Sequence, residues 1–217
     1  MALREELGKQ GNWLFRWRSY LPLLMIPLFI IALMEATDPR YAFGYPGDQI
    51  FTVCCILLSF LGLFIRALTI GFTPKGTSGG NTKQQKASVL NNTGMYSIVR
   101  HPLYLGNFII FLGIILFVKV WWFVVISALL FWLYYERIMY REEEYLREKF
   151  GESFLEWAAK TPAFIPLFKN WQSTNQNFSI KRTVYREYIG FFEIIVCFTF
   201  LEIMKNVAEP LHSLGLH

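Results

Sequence analysis

Residues 100–106 read Arg-His-Pro-Leu-Tyr-Leu-Gly and open directly onto an apolar run, 103–118. A proline at the first helical position leaves the next amides, those of Leu103 and Tyr104, unpaired at the positive end of a helix dipole. Such a helix start is an anion site suited to a carboxylate or a phosphate. Arg100 and His101 add charge and a ring donor to it. The second group is acidic: Glu142, Glu143 and Glu144 follow closely on the next apolar run, 120–135. Only Lys119 separates the two runs, so they form a tight helical hairpin whose ends, at 101 and 136, must lie near each other. Glu142 and Glu143 would then oppose the anion site, where carboxylates suit a cationic group or ribose hydroxyls.

A ligand with an anionic and a cationic end fits this arrangement. S-adenosylmethionine carries a carboxylate, an ammonium, a sulfonium and a ribose, and rings such as Tyr96 and Tyr104 can attract its sulfonium. The cofactor-binding candidates are therefore Tyr96, Arg100, His101, Pro102, Leu103, Tyr104, Glu142 and Glu143. The alternative for each element is simpler: a snorkelling arginine, a capping histidine and a solvated acidic face.

The elements that must position these groups are apolar. The chain has 217 residues, 54% of them hydrophobic and 18% aromatic, with a mean hydropathy of +0.33. Apolar runs occupy 21–34, 50–72, 103–118, 120–135 and, interrupted by Glu193 and Glu202, 188–204. Several fall short of the roughly 20 residues that span a bilayer and need flanking turns. The expected fold is all-α: a polytopic integral membrane protein with about five transmembrane helices, read as one domain over 1–217 with its motif core at 94–166. With the amino terminus cytoplasmic, 18 lysines and arginines fall on that side and only Arg40, Lys119 and Lys205 on the other. This positive-inside bias puts both motifs and the cofactor pocket in the cytoplasm. It also accounts for the net charge of +5, so nucleic-acid binding is not indicated.

Residues 1–20 are basic and aromatic, an interfacial lead-in. The loop 73–93 is long, polar and glycine-rich, with Lys75, Lys83 and Lys86, and reads either as functional or as a connector. Cys54, Cys55 and Cys197 lie in apolar runs without metal-ligand spacing and read as buried small hydrophobes, so neither a metal site nor a disulfide framework is expected. Beyond residue 135 the helical pattern continues to about Trp157. Tyr135, Ile138, Met139, Glu142, Leu146, Phe150 and Trp157 trace one stripe at 100° per residue, and an acid on that stripe needs a partner or a ligand.

Arg100-His-Pro-Leu-Tyr104 with Gly106, then Glu142-Glu143-x-x-Leu146-x-x-x-Phe150-Gly151-x-x-Phe154 and Ile165-Pro166, resembles the isoprenylcysteine carboxyl methyltransferase family and the related phospholipid methyltransferases. The resemblance runs from about Gly94 to Pro166. It implies a multi-helix membrane fold that binds S-adenosylmethionine at its cytoplasmic end and admits a lipid or lipidated acceptor from the bilayer. His101, Pro102, Tyr104, Glu142 and Glu143 match the motif positions of cofactor contacts.

Two departures bear on the acceptor. The loop before Gly94-Met-Tyr96 lacks the histidine that the prenylcysteine enzymes carry, and Ile138 stands where the family tends to have an arginine. Arg137 and Arg141 flank that position; with Glu142 they are the catalytic candidates. An already anionic acceptor oxygen needs no general base, only a guanidinium to hold it. Arg141 lies about 100° from Glu142 around the helix and Arg137 about 140°, which favours Arg141. Lys75, Lys83 and Lys86 among backbone donors suit a phosphate-bearing headgroup and are the substrate-binding candidates. The rivals are a sterol-reductase-like enzyme using NADPH and a non-enzymatic scaffold or transporter subunit; Glu193 and Glu202 would suggest an ion path, but their nine-residue spacing, 900° around a helix, puts them on opposite faces.

Overall fold

The computed structural model describes residues 3–17, 25–36, 46–74 and 88–213. Lys75, Lys83 and Lys86 lie outside them. Helices α1 (Leu3–Trp17), α2 (Ile26–Ala36), α3 (Gly47–Phe72), α4 (Met95–Ile98), α5 (Pro102–Phe117), α6 (Trp121–Phe150), α7 (Glu152–Lys160) and α8 (Ile180–Ser213) make up the described chain, and no strand occurs among the described residues. The helices α3 and α6 are long and apolar enough to cross a bilayer, while α2 and α5 are shorter apolar helices.

The closest packing in the bundle is between α3 and α5, and small residues allow it. A Cβ added at Gly62 would sit 2.6 Å from the Gly106 carbonyl oxygen and 2.7 Å from the Ile110 nitrogen. One added at Gly106 would meet the Arg66 side chain at 2.5 Å, and one at Gly113 would collide with Ser59. Ser59 itself donates to the Ile110 carbonyl at 2.9 Å. Where apolar solvent gives helices no hydrophobic reason to associate, this kind of backbone approach is what holds them together. Around it a core of Cys55, Ile115, Phe117, Phe123, Ile194, Phe198 and Leu201 joins α3, α5, α6 and α8. Cys55 is buried as expected, but its neighbour Cys54 is exposed on the outer face of α3.

The hairpin of α5 and α6 turns within three residues, Val118 to Val120, with Lys119 at φ 63°. Lys119 pairs with Asp48 at the start of α3, and Trp122 donates to Glu35 of α2 at 2.7 Å. These polar contacts close the end of the bundle remote from residues 100–101. One expectation is corrected. The helix after the hairpin does not run to Trp157: it stops at Phe150, because Gly151 adopts φ 53°, a backbone state that favours glycine and ends a helix. Trp157 belongs to the separate helix α7. Glu193 and Glu202, half a turn apart around α8 by their spacing, are both exposed.

If the Gly62–Gly106 crossing carries the fold, Gly62→Val should lower stability by roughly 1–3 kcal/mol, the usual cost of overpacking. Gly8, where an added Cβ meets nothing within 4 Å, is the control, and Gly8→Ala should melt no lower than wild type. Thermal unfolding in detergent measures both. An unchanged transition for Gly62→Val would mean that α3 and α5 do not cross there.

Candidate active site

Two backbone segments frame the site. Residues 94–101 run beside 161–172, although neither forms a strand. Arg100 and His101 donate backbone amides to the carbonyls of Pro162 (2.9 Å) and Ala163 (3.2 Å), and Leu167 donates to Ile98 at 2.9 Å. Further out, Gly94 donates to the Gln172 carbonyl at 2.8 Å. Side chains reinforce the strap: Trp157 donates to the Tyr96 carbonyl at 2.9 Å and Arg100 to the Ala158 carbonyl at 3.2 Å. Beneath it Ile98, Val99 and Leu105 pack with Met95, Ile109 and Phe164. The residue pair before α5 is thus fixed at its backbone, leaving its side chains for other work.

Those side chains turn toward α6. His101, only 6% exposed, does not cap its helix. Its Nε2 lies 2.8 Å from the Glu143 carboxylate and its Nδ1 3.7 Å from Glu142. The Arg100 guanidinium is 3.1 Å from the same Glu143 oxygen that His101 meets. Tyr104 donates its hydroxyl to Glu142 at 2.7 Å and stacks on His101 with ring centroids 5.7 Å apart. Pro102 is buried at the first position of α5, and Leu103 is partly buried beside it. The antiparallel hairpin therefore brings together Arg100, His101, Tyr104, Glu142 and Glu143. Glu144 instead lies 3.9 Å from Arg147, on its own helix. Tyr96 lies on the strap, where its carbonyl accepts from Trp157. Each of the two site carboxylates keeps about a quarter of its side-chain surface accessible (27% and 25%), so a ligand can still reach them.

Arg137 and Arg141 take the other side of α6, against α1. Arg137 donates to Gln10 at 2.9 Å and to the Leu133 carbonyl at 2.7 Å; Arg141 donates to Asn12 at 2.9 Å and lies 3.8 Å from Glu148. Gly11 permits the crossing, because a Cβ there would be 2.5 Å from the Arg137 carbonyl oxygen. Neither guanidinium bonds to the carboxylate pair.

A different arginine is linked to the site. The Tyr104 ring packs on Tyr135 at 4.9 Å, and the Tyr135 hydroxyl accepts from Asn107 at 3.1 Å. The Asn107 side-chain oxygen accepts from Arg66, whose guanidinium forms a two-point pair with Glu187 of α8, both bonds 2.7 Å. Glu187 is 5% exposed. In the sequence Arg66 stands out only as one more basic residue, and neither Asn107 nor Glu187 stands out at all. The available signal was a charge inside the run 50–72, since ionisable groups at membrane depth are costly unless they are used. Among the described residues no group of three or more His, Cys, Asp or Glu side chains could hold a metal ion.

Comparison with known proteins bears on the same region. Residues 50–153, a little under half of the chain, match the family described as phospholipid methyltransferase. The protein-S-isoprenylcysteine O-methyltransferase of Schizosaccharomyces pombe is 34% identical over 86 residues, which is 40% of this chain and 36% of that protein. Its namesake in Saccharomyces cerevisiae is 34% identical over 123 residues, 55% of this chain and 51% of that protein. The nickel-cobalt-cadmium resistance protein NccN of Alcaligenes xylosoxydans xylosoxydans is 30% identical over 132 residues, 61% of this chain and 53% of that protein. The chain spans about a third to a half of the length of these relatives. No solved structure matches.

His101 and Glu143 should behave as one unit. A double-mutant cycle of His101→Ala and Glu143→Gln on unfolding free energy should give a coupling of about 1 kcal/mol or more, as expected for a hydrogen bond to a charged group. Additive losses would mean that the 2.8 Å contact does not form in solution.

Proposed function

We propose, from this kinship with named methyltransferases over the hairpin core, that the protein transfers a methyl group from S-adenosylmethionine to an anionic oxygen of a membrane-embedded lipid or lipidated acceptor. One observation carries the reading: Glu142 and Glu143, still accessible, sit beside His101, Tyr104 and the start of α5. The donor set fits the cofactor. The first amides of α5 and Arg100 suit its carboxylate, and Glu142 and Glu143 suit its ammonium and ribose hydroxyls. Tyr104 and Tyr96 offer ring faces for a sulfonium. Bound there, the cofactor would supply an electrophilic methyl group.

The chain's own residues would bind and orient. His101, held between two carboxylates, fixes where each carboxylate points, and Tyr104 holds Glu142 from the opposite side. Catalysis would come chiefly from positioning, because an anionic acceptor has no proton to lose. A guanidinium would hold that oxygen. The sequence reading nominates Arg141 and Arg137. The contacts from Glu142 through Tyr104, its ring packing on Tyr135 and then Asn107 add Arg66 as the next arginine, after Arg100 itself, connected to the carboxylate pair. Lys75, Lys83 and Lys86 belong to the acceptor side of this reading, as partners for a headgroup phosphate. About five spans, a cytoplasmic site and a cytoplasmic amino terminus complete it, and the lysine and arginine distribution is their support.

Calorimetry in detergent tests the cofactor. S-adenosylhomocysteine should bind and NADPH should not, and His101→Ala and Glu142→Gln should each weaken binding by about 1–3 kcal/mol while leaving the protein folded. NADPH binding, or wild-type affinity in both variants, would overturn the assignment.

Acceptor turnover separates the arginines. Replacing by lysine the one that grips the oxygen should remove most transfer at unchanged cofactor affinity, since lysine cannot reproduce the fork. We expect that loss for Arg66→Lys. The same loss confined to Arg141→Lys or Arg137→Lys would return the role to α6.

A further inference from the structure

The segment between α7 and α8 carries a second surface. Phe164 packs edge-on against Phe108 of α5 (5.7 Å) and Trp132 of α6 (5.3 Å). Phe108 lies six residues beyond Pro102 and Trp132 ten residues before Glu142. At about 1.5 Å rise per residue, Phe164 therefore reaches roughly 9–15 Å along the hairpin from the site. Its neighbours face outward: Ile165 is 79% exposed and Phe168 76%, with Leu167 and Trp171 also exposed. Lys169 stands between Phe168 and Trp171 and is exposed as well. Trp132, on which Phe164 packs, is itself exposed, as are Leu129 and Leu133 on the same helix.

A non-helical segment cannot enter a bilayer unless its backbone is satisfied. Here Pro162 and Pro166 have no amide to satisfy. The Pro162 and Ala163 carbonyls accept from Arg100 and His101, and Leu167 donates to Ile98. Asn170 and Trp171 donate back to Leu167 and Phe168 at 3.0 and 3.1 Å. These bonds tie the loop to residues 98–101 while it presents isoleucine, phenylalanine and tryptophan outward, and the amides they leave over suit the hydrated headgroup region rather than the hydrocarbon core. Apolar and aromatic side chains around a single lysine are the composition of a segment lying at the boundary of headgroups and acyl chains.

We propose that residues 164–171 form a lipid anchor seated in the bilayer interface beside the active site. Because the carbonyls of Pro162 and Ala163 hold the amides of Arg100 and His101, the anchor also fixes the depth at which the cofactor site meets the membrane. The occupant is lipid, and the inference rests on the membrane reading given above.

The test uses the full chain with Cys54, Cys55 and Cys197 replaced by alanine, in vesicles of phosphatidylcholine and phosphatidylglycerol. A nitroxide is attached through Phe168→Cys or, as a second position, Ile165→Cys. Leu57→Cys, on the exposed face of α3, serves as the membrane control, and Glu152→Cys, at the start of α7, as the aqueous one. The anchor labels should collide with oxygen severalfold more than with a water-soluble nickel chelate, as at position 57, and opposite to position 152. Anchor labels that behave like position 152, with position 57 still lipid-like, would overturn the proposal. A water-like position 57 would instead overturn the membrane reading itself.

Discussion

Everything at the candidate site depends on the three-residue turn at Lys119. Two apolar helices joined so tightly must run antiparallel and in contact. The first residues of α5 then meet α6 at Glu142 and Glu143, well past the middle of that helix. Sequence separations of about forty, from His101 to Glu143 (2.8 Å) and from Tyr104 to Glu142 (2.7 Å), become hydrogen bonds, with the backbone of His101 held from the other side by Ala163. The salt bridge of Lys119 with Asp48 ties the turn to α3. The register of the hairpin is thereby set from its far end.

The rest of the bundle holds that hairpin and links it to a buried charge. Gly62 and Gly106 let α3 approach α5 closely enough for the Arg66 side chain to pass over Gly106 and reach Asn107 and Glu187. An arginine and a glutamate kept at this depth are expensive, and their mutual two-point pair recovers much of that cost only because the geometry is good. From Arg66 the contacts pass through Asn107, Tyr135 and Tyr104 to Glu142. The carboxylate pair and the bundle interior are joined by hydrogen bonds and one ring contact, Tyr104 on Tyr135, flanked by the aromatic rings of Phe131 and Tyr134.

How much of this could be read from residues alone differs by element. The hairpin and the meeting of Arg100, His101 and Tyr104 with Glu142 and Glu143 were legible, because one lysine between two apolar runs leaves a single arrangement. The extent of α6 was not. A 100° stripe continued smoothly through Gly151, and periodicity carries no information about a positive φ. The direction of Arg137 and Arg141 was also hidden. An angle around a helix says which face a side chain leaves from, but not that α1 would lie there with Gln10 and Asn12 as partners. Arg66, Asn107 and Glu187 were missed for a different reason. Each is a lone polar residue at or beside an apolar run, and their meaning lies in a pairing 121 residues apart between Arg66 and Glu187. The strap of 161–172 along 94–101 had no periodic signal, since its bonds are backbone to backbone without forming a sheet.

The central claim is that this hairpin holds a methyl donor against a membrane-borne oxygen. Its most direct test is transfer of a deuterated methyl group from labelled S-adenosylmethionine into the lipids and lipidated proteins of membranes containing the protein, followed by mass spectrometry. One deuterated methyl should appear on an acceptor oxygen, and much less of it when Glu142→Gln replaces the wild type. Membranes in which no species gains the label above the level of the variant would contradict that claim.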